Sequence, residues 1–226
     1  SLTGKVDYNQ VGEYIRKINE DLPVVAMGMS IAGIPSVDFN AYSGFFNEVD
    51  HLIRVHGCKK IAMVRGPESH PSAEARFEAY KSALKENGIA YDANLVATPC
   101  AWAEGNKAIR ELIEDRHLTP GVDFDAVCFA SDLLMFWASK YLDSIGVQIP
   151  TELKIVGFND SEENSMMSVD STTVRMPIKT LANTSYTLVC DVCSNREDSP
   201  VNIVLPTEVI LRHSCGCENV FGGEES

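Results

Sequence analysis

The chain has 226 residues, 45% of them hydrophobic, with a formal net charge of −13 and a pI near 4.8. That length and apolar content can bury a substantial core, between one large domain and two small ones. The acidity excludes a surface that grips phosphate backbones, so contact with DNA is expected only through a domain absent from this chain. No run reaches the about 18 apolar residues of a membrane span, and no basic-then-apolar leader is visible, so a soluble, cytoplasmic protein without a membrane partner is expected.

In chain order, Ser1–Asp21 reads as a polar helix. Short apolar runs then alternate with amphipathic segments, the pattern of βα units around a parallel sheet. Val24–Met29 and Ser36–Phe39 are predicted strands. Tyr42–Val55 follows as a helix, with Phe45, Phe46, Val49, Leu52 and Ile53 at helical spacing. After a strand at Lys60–Arg65, the helix Ser72–Asn87 runs through Ala75, Ala79, Ala83 and Leu84 and stops at Gly88, a typical residue just past a helix end. A strand at Leu95–Pro99 precedes a helix at Glu104–Arg116. The strand Ala126–Ala130 leads into Leu133–Ile145, which ends at Gly146 with Pro150 beyond. Strands at Lys154–Phe158 and Thr172–Val174 are followed by the helix Ile178–Ser194 and a last strand across Val201–Leu211. Glu218–Ser226 reads as a frayed acidic tail. There is no linker rich in Pro, Gly or Ser and no internal repeat, so the expectation is one continuous α/β chain whose two lobes share crossovers.

Enzyme signatures are missing. There is no G-x-S-x-G, no H-E-x-x-H, no phosphate loop and no G-x-G-x-x-G; Gly28-x-x-x-x-Gly33 lacks the middle glycine. His51, His56, His70, His117 and His213 have no partner at ligand or triad spacing and are expected to be surface or capping residues. Cys58, Cys100 and Cys128 sit in apolar contexts and read as small buried hydrophobes. Cys190-x-x-Cys193 and Cys215-x-Cys217 would offer four thiolates to zinc, but helical packing also produces the first spacing, so no metal or other cofactor is expected. Asp160-Ser-Glu-Glu163 reads as the acidic first turn of a helix rather than a cation site.

What remains is a set of polar groups at strand ends, where open α/β folds place their ligands. Arg76 lies in the first turns of a helix. Its planar fork suits vicinal hydroxyls or a carboxylate, and the plain alternative is an exposed helix arginine. Ser131 and Asp132 follow one strand as cap and first-turn acid, Asn159 and Asp160 follow the next, and Asn40 sits just past Ser36–Phe39. Each alone is a cap; together they outline a cleft for a polar small molecule.

Several segments resemble one family in order. Lys154–Asp160 with Ser171–Pro177 resembles the "VVGFDD … LTTVRQP" pattern of LacI/GalR-type ligand-binding domains, which share the type I periplasmic-binding-protein fold. His51–Pro67, Ser72–Ile89 (with Ala79 for the usual Gly), Gly146–Glu162 and Leu205–Cys217 are similar to further motifs of that family. The resemblance implies two lobes of parallel sheet flanked by helices, with the first incomplete because the match enters at the family's fourth strand. One lobe would comprise 1–66 plus 177–197, the other 67–176 plus 198–217, with 218–226 as tail. It implies a non-enzymatic sensor for a small effector such as a sugar or nucleoside, acting as a homodimer. Arg76 and Asn159 would hold the ligand, with Phe39, Asn40, Ser131, Asp132 and Met176 at further ligand-facing positions. Phe39, Asn159 and Met176 replace Asp, Asp and Gln of the family, which argues against an ordinary hexose; Trp102 would stack on a ring. The Ser-Cys-Gly-Cys ending is similar to sensor modules fused to diguanylate cyclase or kinase outputs. An α/β sugar- or nucleotide-processing enzyme and a dimerisation module with a degenerate pocket are the alternatives.

Overall fold

A computed structural model describes residues 7–194 and 202–218. Helix α1 spans Tyr8–Asp21, with the Asp7 carboxylate accepting from the backbone of Asn9 and Gln10. Positions 1–6 of the expected first helix lie outside the described residues, as do 219–226 of the expected tail. The strands are β1 Ala26–Met27, β2 Ser36–Phe39, β3 Ile61–Val64, β4 Ala126–Phe129, β5 Lys154–Asn159, β6 Thr172–Arg175, β7 Asn202–Leu205 and β8 Glu208–Ile210. The remaining helices are α2 Ala41–Arg54, α3 Pro71–Glu86, α4 Gly105–Arg110, α5 Asp132–Ser144 and α6 Ile178–Cys193. Several starts follow from local chemistry. Asn40 caps α2 through its side chain, Ser131 caps α5, and Pro71 opens α3 where no helical N–H is needed.

The strands form two sheets, a smaller one in the order β1-β2-β7 and a larger one in the order β3-β4-β5-β6-β8. Among the described residues all strand pairings are parallel except β6 with β8. In the larger sheet β3 and β4 are buried along their whole length, which is why they read as unbroken apolar runs. Phe45, Leu52, Met63, Phe124, Phe129, Leu134 and Phe158 are fully enclosed in its core. Each such side chain contributes about 1.5–3 kcal/mol by leaving water. The smaller sheet has a thin core of Val37, Leu181 and Leu188, with α6 laid on it.

The chain passes between the sheets at Asn40, at Met176–Pro177 and at Pro206–Thr207. Two of these crossings touch: Asn40 N–H donates to Leu205 O (2.8 Å), and Thr207 Oγ1 donates to Asn40 O (3.0 Å).

Three expectations are corrected. The sheets divide the chain differently from the boundaries expected for the lobes: β3 belongs to the larger sheet and β7 to the smaller, because strand partners rather than sequence position decide membership. Leu95–Pro99 forms only a single parallel bridge, Val96 to Met63, after a 3₁₀ turn at Ala93–Leu95. The last strand, whose Val201 lies outside the described residues, is two strands in different sheets. They break at Pro206, which has no N–H to continue a ladder. In addition, the helix expected at Glu104–Arg116 is α-helical only to Arg110 and continues as a π turn over Glu111–Asp115. Among the described residues no helix is long and apolar enough to cross a membrane.

Candidate functional site

Between the two sheets lies a cleft of about 350 Å³, within the range of roughly 300–1,000 Å³ typical of ligand pockets. It is lined by Gly28, Phe39, His70, Ser72, Arg76, Trp102, Ser131, Leu133, Asn159 and Met176. Gly28, Phe39, Ser131, Asn159 and Met176 lie at or just past the carboxyl ends of β1, β2, β4, β5 and β6, and Ser72 and Arg76 lie on the helix after β3.

Arg76 is the central group. It is 4% exposed, which corrects the alternative of an exposed helix arginine. Its Nη1 donates to Ala130 O, its guanidinium lies 3.7 Å from the Phe158 ring centre, and Trp102 is 5.9 Å away. Its Nε is buried without a partner. Burial pulls its pKa well below the usual arginine value, to about 9, against the opposing attraction of Asp132 and Glu48, so the group stays cationic at neutral pH. A buried cation with an unfilled donor on a cleft wall is what an oxygen-rich ligand would complete.

Around it the wall is aromatic and apolar. Phe39 stands 6.3 Å from Phe158, and His70 meets Trp102 edge to face at 5.2 Å. Trp102 fits because residue 66 is glycine: a Cβ there would overlap the indole ring. Burial, followed by the charge of Arg76, lowers the His70 pKa, which keeps the imidazole neutral; its Nδ1 is buried and unpartnered.

The structure thus brings Arg76, Asn159, Ser131, Phe39, Met176 and Trp102 to one cleft. Asp132 and Asn40 serve the protein instead. Asp132 is fully buried and accepts from Ser161 N, Asn164 Nδ2 and Thr173 Oγ1 at 2.7–2.9 Å. Gly157 leaves the room it needs, since a side chain there would collide with its carboxylate and with Met135. Asn40 spends its side-chain oxygen on the cap of α2. Asp160, next to Asn159, is held by Arg175 and Arg212 at 2.7 Å each; burial raises its pKa, but these two partners outweigh it and hold the carboxyl below its usual range. Gly28, His70, Ser72 and Leu133 complete the cleft and were not legible beforehand. His70 had one local signal, its place beside the Pro that starts a helix after a strand.

Two histidines depart from the expectation of surface or capping roles: His51 and His56 are half-buried and lie against Cys215 and Cys217. Cys58, Cys100 and Cys128 are buried, as expected, while Cys190 and Cys193 are exposed on α6. The acidic run after β5 forms a 3₁₀ turn, Glu162–Met166.

The family model for the periplasmic binding protein-like domain matches residues 49–215. The chain belongs to this family. As a periplasmic-binding-protein-like domain it is 30% identical over 208 residues to the ribose operon repressor of Halalkalibacterium halodurans, covering 91% of this chain and 59% of that protein. It is 29% identical over 189 residues to the HTH-type transcriptional regulator CelR of Thermobifida fusca, covering 83% and 54%. The domain therefore spans a little over half the length of these relatives, which are transcription regulators and not enzymes. Among solved structures, a LacI family transcriptional regulator from Enterococcus faecium with bound ribose superposes with a TM-score of 0.76 at 25% identity, covering 92% of this chain and 76% of that one.

Proposed function

We propose that this domain is the effector-binding part of a LacI-type transcription regulator acting in the cytoplasm. A small polyhydroxylated ligand with one flat face, a sugar or a nucleoside, enters the cleft between the sheets. Arg76 would clamp its oxygens in a bidentate fork, Ser131 and Asn159 would add neutral polar contacts, and Phe39, Trp102 and Met176 would cover its apolar face. The observation that carries this reading is the buried Arg76 guanidinium, with Nε unpartnered, on the wall of a cleft between two sheets. The relative named as a ribose operon repressor, the solved CelR–cellobiose complex and the ribose-bound structure support the sugar class.

The three crossings between the sheets would serve as the hinge. The ligand shifts the balance of open and closed forms by its differential affinity for them, and DNA would be engaged by a segment outside this domain. The domain would self-associate through the smaller sheet and α6, where Met27, Val204, Ile178 and Tyr186 are each more than half exposed. A thermal-shift and calorimetry panel of ribose, cellobiose, other sugars and nucleosides on the purified chain tests the reading. A saturable stabilisation by one class is expected; no stabilisation by any member at millimolar concentration would overturn it.

A further inference from the structure

At the edge of the larger sheet opposite the cleft, four side chains of metal-ligand type converge. His51 lies in the last turn of α2 and His56 just beyond it. Cys215 and Cys217 belong to the turn that follows β8, next to Lys154 at the start of β5. His51 Nε2 and His56 Nε2 are 3.1 Å apart, Cys217 Sγ is 3.4 Å from each, and Cys215 Sγ is 3.8 Å from His51 Nε2. The four ligand atoms all lie within 4.8 Å of one another.

These separations suit one ion. With Zn–N near 2.0–2.1 Å and Zn–S near 2.3 Å, the edges of a tetrahedron are roughly 3.3 Å between nitrogens, 3.6 Å between nitrogen and sulfur and 3.8 Å between sulfurs. The one nitrogen–nitrogen and three nitrogen–sulfur distances given above fall within a few tenths of an ångström of those edges, and the remaining two separations stay within 4.8 Å. The backbone is shaped to match. Gly216 takes φ +97°, a conformation open to glycine, and so lets the Cys-Gly-Cys turn aim both sulfurs the same way. Thr172 Oγ1 lies 3.0 Å from Cys215 Sγ, in place to donate to a thiolate and orient it.

We propose that His51, His56, Cys215 and Cys217 bind one zinc ion in a closed structural site. Both thiols give up their protons to solvent on binding, the two thiolates neutralise the dication, and the imidazoles bind as neutral ligands. Four protein ligands leave no open position, so the site fastens rather than catalyses. It ties the turn after β8 to the end of α2 and thereby secures β8, the antiparallel strand at the sheet's edge. This is not the four-cysteine set the sequence suggested, because Cys190 and Cys193 are exposed on α6.

The chain, purified under reducing conditions and dialysed after zinc loading, is analysed for metal and then titrated with Co(II). One metal per chain is expected, together with the ligand-field bands of tetrahedral cobalt and a thiolate-to-cobalt charge-transfer band. Cys217→Ser and His56→Asn should each lose the metal, whereas the Cys190→Ser/Cys193→Ser double variant should keep it. A chelator should lower the thermal midpoint of the wild-type chain and leave that of Cys217→Ser unmoved. The proposal is overturned if the zinc-loaded wild-type chain retains no metal, or if cobalt shows no charge-transfer band. It is equally overturned if the bands depend on Cys190 and Cys193, or if Cys215 and Cys217 form a disulfide under these conditions. The wild-type cobalt spectrum decides the matter even where a variant fails to fold, and none of these readouts depends on effector binding.

Discussion

Replacing Arg76 with Met separates what this residue does for the fold from what it does for a ligand. The pull of its pKa from the usual arginine value down to about 9 amounts to roughly 5 kcal/mol against the buried cation. Because the folded pKa of this base is depressed, that cost is present throughout the pH range below about 9 and fades only as pH rises beyond it. Met removes the cost and keeps much of the volume against Phe158. In exchange, Ala130 O loses its donor, worth about 1–3 kcal/mol, and the stacking on Phe158 loses about 2 kcal/mol. The terms nearly cancel, so Arg76→Met should unfold within about 2 kcal/mol of the wild-type chain in the absence of ligand. Bound ligand is another matter. Two hydrogen bonds from a charged donor are worth about 1.5–3 kcal/mol each, so affinity should fall on the order of a hundredfold to ten-thousandfold. Urea unfolding with and without the best sugar of the panel, together with calorimetry, reads both quantities. Unchanged ligand affinity would refute the site. A loss of more than about 4 kcal/mol without ligand would refute the balance of burial against contacts.

Asn159 lines the cleft at φ +128°, in the positive-φ range that residues other than glycine seldom adopt. Asn159→Asp should strengthen polyol binding about tenfold by supplying a charged acceptor, and calorimetry with no gain for any sugar would place the side chain away from the ligand. Glu48 is fully buried with neither carboxylate oxygen partnered, and its pKa is raised well above the usual range by burial first, then by Asp132 and Cys215. An acid raised in this way costs nothing below its unfolded pKa of about 4.3 and an increasing amount above it. Glu48→Met should therefore stabilise the chain by about 1–3 kcal/mol at pH 8 and by less at pH 4; an equal effect at both would show that ionisation plays no part. Both outer strands of the smaller sheet carry exposed apolar residues, Met27 on β1 and Val204 on β7, so self-association should appear in light scattering and weaken in Met27→Lys. A clean monomer at high concentration would rule it out.

Much of the fold was legible because its signals are local. Helices α2, α3, α5 and α6 came within a residue or two of their observed ends, since apolar spacing and end signals such as Asn40, Ser131, Gly88 and Gly146 act over a single turn. The cleft was partly legible for the same reason. Asn159, Ser131 and Arg76 follow apolar runs, and a parallel strand delivers whatever follows it to one edge. His70, Ser72 and Leu133 were missed because residues of these types beside a strand are ordinary until a second lobe faces them.

The amino-acid pattern by itself determined the order of βα units, the places where helices start and stop, and the end of the sheet where polar groups gather. All of these depend on interactions within a few residues. Only the tertiary structure decided what depends on distant partners. It put β3 in the larger sheet and β7 in the smaller because strand pairing joins segments far apart in sequence, as Ser36 meets Asn202. It buried Arg76, because exposure is set by what packs over a helix and not by the helix's own residues. It brought His51 and His56 to within 4.8 Å of Cys215 and Cys217, because only the packed core carries a turn near the end of the chain back to a helix some 160 residues earlier.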